Sequence, residues 1–247
     1  MERPKYILIV LLFIFTFQAA QANYSRDIYY AYINGDMNKW KSIIDSMEQN
    51  QEKTHENLIE LTNYQYGYIG WCLGNNKKNE AEKYLNKAEE NIRILEYANY
   101  KLSLLNSYKS AFYGFRIGLN IYKAAFIGFK SVECAKLAIK QDEKNPFGFL
   151  QFGNCQYYMP VLFGGSKSKA LLYFIKAEQL MEFNDKQLKY NWNYLSLLTV
   201  IGQSYSILNN CNLAKAYYEK ALKAEPRFLW VKNELYPELI RKMNEKR

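Results

Sequence analysis

The chain has a single histidine, His55, among its 247 residues. A Ser-His-Asp or Cys-His nucleophile would therefore have to use His55, and NQEKTHEN, the inter-repeat stretch around it, holds no nucleophile motif. Neither G-x-S-x-G nor H-E-x-x-H occurs. The four cysteines, Cys72, Cys134, Cys155 and Cys211, are dispersed, and none stand at C-x-x-C spacing. One histidine and scattered cysteines do not compose a zinc or iron site, so neither a metal nor a cofactor is expected. Adjacent carboxylates such as Glu89 and Glu90 fall on polar helical faces and read as solvated charge rather than a glycosidase pair. No catalytic residue is expected, and the chain is not expected to be an enzyme. Only five prolines and twelve glycines punctuate it, which favours long helices over many short strands.

What is present begins with a leader-like N-terminus. MERPK carries Arg3 and Lys5, the apolar run YILIVLLFIFTF follows, and Ala20 and Ala22 then stand at A-x-A spacing. This is the order of a secretory signal peptide, so residues 1–22 are expected to be removed and residues 23–247 to form the mature chain. The apolar run is shorter than the roughly 20 residues a membrane span needs. No later stretch could span a membrane. The net charge is +9, but the lysines are scattered through helical segments rather than massed in a block. A solvated polar face explains them, and no nucleic-acid partner is expected. Cys72 and Cys155 lie in apolar helical stretches, where a thiol behaves as a small buried hydrophobe.

The internal organisation is repetitive. In LSLLTVIGQSYSILNNCNLAKAYYEKALKAEP, Gly202 and Tyr205 mark one helix, Ala214, Tyr218 and Ala221 a second, and Pro226 ends the unit. Gly202 and Ala214 are small where two antiparallel helices must approach closely, and Tyr205 and Tyr218 fill the space beside them. A second unit has Phe149 and Gly153, then Ala170, Phe174 and Ala177, with a longer turn between its helices. A third has Gly67, Gly74, Ala81, Leu85 and Ala88. The weaker first unit turns at Gly35 and Asp36 and has Trp40 where Ala is usual. Residues 97–145 are degenerate and read as one more helix pair. These landmarks resemble the tetratricopeptide repeat, a helix–turn–helix of about 34 residues. The resemblance implies an all-α, right-handed solenoid of antiparallel helix pairs: about five pairs and a polar C-terminal helix over residues 23–247. The turn FGGSKSKA and the stretch AFYGFRIGL are, within that superfamily, similar to exported bacterial repeat proteins that include the T-component of TRAP transporters.

The same turn, Phe163 to Ala170, raises the question of phosphate binding. A P-loop needs G-x-x-x-x-G-K-[ST], and here Lys167 does not directly follow a glycine. A turn explains more of the residues. Pro160 stops one helix, Gly164 and Gly165 permit a tight reversal, and Ser166 can cap the next helix.

The resemblance also implies where a partner would bind. In stacked repeats the first helix of each pair lines the concave surface. Projecting the register gives Tyr64, Tyr68 and Trp71 from the third unit described, Asn154, Tyr157 and Tyr158 from the second, and Thr199, Gln203 and Ser206 from the first. Tyr84, Tyr217 and Tyr218 lie on second helices and are assigned to the core. The long turn adds Met159, Val161, Leu162 and Phe163 as a loop contact. The expected role is an exported scaffold or adaptor in the cell envelope, periplasmic or secreted, binding a protein or peptide. The alternative, which the T-component likeness implies, is a small apolar ligand held along the aromatic groove.

Overall fold

The computed structural model describes residues 24–50, 53–183 and 188–245. The expected leader, residues 1–22, lies outside the described residues. Helix α1 covers residues 24–34, and ten more follow: α2 (Met37–Gln49), α3 (His55–Gly74), α4 (Lys78–Tyr97), α5 (Leu102–Leu119), α6 (Ala124–Gln141), α7 (Pro146–Tyr158), α8 (Lys167–Glu182), α9 (Trp192–Ile207), α10 (Cys211–Ala224) and α11 (Tyr236–Asn244). Among the described residues there is no strand. Consecutive helices pack as pairs, α3 with α4, α5 with α6, α7 with α8 and α9 with α10, and the pairs stack. The fold is the expected all-α solenoid of helix pairs. His55 begins α3, behind the Thr54 cap, rather than sitting in an inter-repeat turn.

Asparagine explains how so many helices form with so few glycines. Asn145, Asn191 and Asn210 cap α7, α9 and α10, each accepting from a backbone N–H of the first turn. Each such cap is worth about 1 kcal/mol. Asn76, Asn99 and Asn209 take the left-handed backbone positions (φ 58, 53 and 59°) at the ends of α3, α4 and α9. Asparagine tolerates that conformation where most side chains do not.

Glycine is kept for the points of closest approach. A Cβ on Gly202 would lie 2.4 Å from the Tyr218 ring, and one on Gly153 would lie 2.5 Å from Phe174. Both pairs join a first helix to its own second helix, as the repeat pattern requires. Gly67 is different. A Cβ there would lie 2.7 Å from both Trp40 and Trp192, which come from the first pair and the last.

Gly67 thus marks a closure of the array. Trp40 and Trp192 meet edge to face, with ring centroids 5.0 Å apart. Tyr32 of α1 packs on Trp192 at 5.7 Å and on Phe228 at 5.1 Å. Tyr66 of α3 reaches Phe147 of α7 at 5.1 Å and Trp192 at 6.2 Å. The Trp40 indole also donates to the Tyr64 carbonyl at 2.9 Å. Large rings therefore fill the space that an open solenoid leaves along its first helices. They explain why Trp stands at position 40 instead of Ala.

A polar lock sits beside them. The Tyr29 hydroxyl donates to Glu225 at 3.2 Å, and the Arg227 guanidinium pairs with the same carboxylate at 2.9 Å. The Arg227 hydrogen bond, above all, holds the Glu225 carboxyl below its usual range. A lowered folded-state pKa contributes stability that is complete above the ordinary carboxylate range and is lost as pH falls through the folded value. The melting temperature should therefore fall between pH 7 and pH 3. The fall should be smaller in Glu225→Gln, where nothing titrates. Equal falls in thermal melts of the two proteins would show that the lock contributes nothing.

Candidate functional site

Two of the turns that join a first helix to its second stand out. Between α7 and α8 the chain makes a short 3-10 turn, Val161–Phe163, and between α5 and α6 another, Ile121–Lys123. Val161, Leu162 and Phe163 are 84, 88 and 71% exposed, and Ile121, Tyr122 and Phe126 are 67, 83 and 74% exposed. Such high values mean that the side chains stand out from the surface rather than line a recess.

The α7–α8 turn is held rigidly from beneath. Gly164 adopts φ 92°, which favours glycine. A Cβ on Gly165 would lie 1.8 Å from the Met159 carbonyl oxygen, so only glycine fits. The Ser166 N–H donates to the Gln156 carbonyl at 2.9 Å, and the Ser166 hydroxyl accepts from the Lys169 N–H at 3.2 Å. Lys167 donates to the Tyr157 carbonyl, and its ammonium sits 3.4 Å from the Tyr157 ring centroid. Desolvation there lowers the Lys167 pKa. The loop turns the chain as read, and Lys167 is committed to Tyr157.

The two tips are neighbours. Cys155 on α7 has its Sγ 3.4 Å from the Ser131 hydroxyl on α6 and 3.6 Å from the Ser110 hydroxyl on α5. About one helical turn further toward the edge come Tyr158 on α7 and Ile127 on α6. Beyond them the chain enters the two tips.

The residues projected onto the concave face divide. Tyr64, Tyr68 and Thr199 are 3, 2 and 1% exposed and present no surface. Tyr68 turns its ring onto Tyr84 of α4 at 5.1 Å. Tyr64 donates to Glu60, and Thr199 donates back to the Leu195 carbonyl within α9 at 2.8 Å. These three belong to the core, as do Tyr84 and Tyr218, which are 0 and 3% exposed. Trp71 is half-buried under the Lys77 ammonium, 4.8 Å from its ring centroid. Asn154 donates to Gln151 at 3.0 Å, and Gln151 in turn donates to the Tyr66 hydroxyl at 3.1 Å. Tyr157 and Gln203 are half-buried. Ser206 is partly covered by α11, whose Lys242 donates to its hydroxyl at 3.3 Å. Tyr158 is 75% exposed and Met159 half-buried.

Sequence reasoning missed two things. The interior rings, Tyr32, Tyr66, Phe147 and Trp192, carry no mark that distinguishes them from ordinary core. The second tip was legible in NIYKAAFIGFK, which occupies in its own pair the place that MPVLFGGS takes in the next.

Chemistry is sparse here. Burial pushes the Tyr66 hydroxyl up to about 12 and the Cys72 thiol up to about 11, so both are neutral and unreactive near pH 7. Among the described residues no group of three or more His, Cys, Asp or Glu side chains is placed to hold a metal. A shallow hollow lined by Tyr236, Pro237, Ile240 and Arg241 lies on α11 and is open to solvent.

A solenoid of this kind, with helix pairs, small-residue approaches and no strand among the described residues, is a tetratricopeptide-type fold. Solved structures agree. The chain is similar to the HusA haemophore from Porphyromonas gingivalis, with a TM-score of 0.61 and 17% identity, covering 75% of this chain and 92% of that one. It is also similar to a thermophilic TPR protein from Thermus thermophilus, with a TM-score of 0.51 and 17% identity, covering 84% and 90%. No protein-family model matches the chain, and no curated protein matches it either. At this identity the likenesses establish the fold.

Proposed function

We propose that the chain is an exported helical-repeat adaptor that recognises another molecule, a protein or peptide, through the turn edge. Export rests on the leader-like residues 1–22, and no helix among the described residues is long and apolar enough to cross a membrane. The observation that carries the reading is the exposure of Val161, Leu162 and Phe163 on a loop braced by glycine and capping contacts. Apolar side chains held out in water on a rigid support mark a contact surface. Asn154 and Tyr157, half-buried toward the end of α7, provide mixed aromatic and polar contacts beside it. The fold neighbours support a recognition role, since stacked helix pairs are a common binding scaffold.

The test is capture from native envelope extract under mild crosslinking. Wild type should recover a specific partner. The triple variant Val161→Ser, Leu162→Ser, Phe163→Ser should lose it while melting at an unchanged temperature. Recovery that the variant does not alter would remove the edge from the function.

A second reading is favoured by the haemophore neighbour: a small apolar ligand held at the aromatic rim. The T-component likeness points the same way. Native mass spectrometry of the purified protein, and titration with haemin followed in the Soret band, decide it. A bound ligand displaced by Tyr158→Ala would favour this reading over the adaptor.

A further inference from the structure

The two apolar tips differ from a peptide groove in shape and in charge. A groove holds its apolar side chains in a recess, where a peptide buries them from several sides. Here the most apolar side chains are among the most exposed: Leu162 at 88%, Val161 at 84% and Tyr122 at 83%. Convex, protruding apolar residues gain burial in a medium that deforms around them. A lipid interface does this, and aromatic rings such as Tyr122, Phe126 and Phe163 settle at its headgroup level.

The stretches of chain that form the tips carry charge of one sign, and the carboxylates that approach from α4, Glu82 and Glu89, are bridged by Arg116 near the end of α5. No Asp or Glu occurs between Glu96 and Glu133, or between Glu143 and Glu178, in a chain with 24 acidic residues. Those two gaps contain both tips. Within them, Lys101, Lys109 and Arg116 are paired with Glu56, Glu96 and Glu89 of neighbouring segments. Lys123, Lys130 and Lys169 stand exposed next to the tips, and among the described residues no carboxylate pairs with them. The acidic residues of α6 and α8 stand further from this edge, at Glu133 and at Glu178 and Glu182, the latter two bridged by Lys220. The edge thus combines protruding apolar groups with unpaired cations, which is complementary to an anionic lipid surface.

We infer that the α5–α6 and α7–α8 tips seat the protein on an anionic lipid bilayer. Ile121, Tyr122, Phe126, Leu162 and Phe163 enter the interface, and Lys123, Lys130 and Lys169 lie at the headgroups. The inference rests on the turn edge being the binding surface, and it assigns an anionic bilayer, in place of a protein or peptide, to the apolar tips.

The test is co-sedimentation of residues 23–247 with vesicles. All the described helices lie within that span, and it leaves out the apolar leader, which would bind lipid on its own. Wild type should sediment with vesicles of phosphatidylcholine and phosphatidylglycerol (about 7:3), and about tenfold less with phosphatidylcholine alone or at high salt. Leu162→Ser with Phe163→Ser, and separately Lys123→Gln with Lys130→Gln and Lys169→Gln, should each lower binding by at least about tenfold. All these side chains are exposed, so the melting temperatures should not change, and that control shows the variants are folded. Equal sedimentation with neutral vesicles, or binding that neither variant weakens, would overturn the inference. If wild type ignores vesicles while the tip variant still loses a captured protein, the lipid assignment falls and the adaptor reading stands. If the tip variant changes neither vesicle binding nor capture, both fall.

Discussion

Trp192→Ala is expected to lower the unfolding free energy by about 3–5 kcal/mol. The ring is 5% exposed and packs on Trp40, Tyr32 and Tyr66 while covering Gly67. Truncation removes that packing and leaves a cavity among three rings that cannot collapse, because each is fixed to a different helix. The indole N–H is buried with no hydrogen-bond partner, so the loss is one of packing and not of polar pairing. Urea denaturation followed by circular dichroism measures it. Trp230→Ala is the control: that ring is 39% exposed, so the cost should be well below that of Trp192. A Trp192 variant within about 1 kcal/mol of wild type would mean that the closure is a contact without energetic weight.

The second large effect is expected at Gly202. A Cβ there would lie 2.4 Å from the Tyr218 ring, and Tyr218 is 3% exposed, so the ring has nowhere to retreat. Gly202→Val should cost about 3 kcal/mol, at the upper end of the usual range for overpacking. Tyr218→Ala should cost about as much by leaving a cavity. Combined, the two changes relieve each other, because the valine occupies space the tyrosine vacated. The double variant should therefore be more stable than the sum of the singles by about 1–3 kcal/mol. Additive losses in the same denaturation series would show that the helices separate at this point instead of clashing.

Both predictions begin from residues visible in the sequence, yet only one of the contacts was legible there. Gly202 opposite Tyr218 is a local requirement. Two helices joined by a short turn can approach only where one side chain is missing, and that leaves a fixed spacing in the chain. The helix pairs could be read for the same reason. The contact of Trp192 with Trp40 and Gly67 depends on how far the stack curves, and curvature arises from small rotations between pairs that no single motif records.

The concave-face projection went astray at Tyr64, Tyr68 and Thr199 for a related reason. Helices α3 and α9 bury residues over a broad arc, Ile59, Leu61, Thr62 and Tyr64 on the one and Trp192, Leu195, Leu197 and Ile201 on the other. A helix buried over so broad an arc has no clear polar stripe from which to tell inside from outside. The second helices show one: α4 buries Ala81, Tyr84, Leu85 and Ala88 and leaves its charged residues in water. The loop tip was legible because it needed no register, only a run of apolar residues between a proline and two glycines.

The lock between Tyr29 and Glu225 also bears on how this architecture could change over evolutionary time. An open solenoid can gain or lose a unit by duplication or deletion, since each unit needs only its neighbour. Here an added unit would carry Glu225 and Phe228 away from α1, and a deleted one would leave Tyr32 facing the wrong surface. Homologous lengths should therefore change through the turns, which face solvent, while the number of units stays constant.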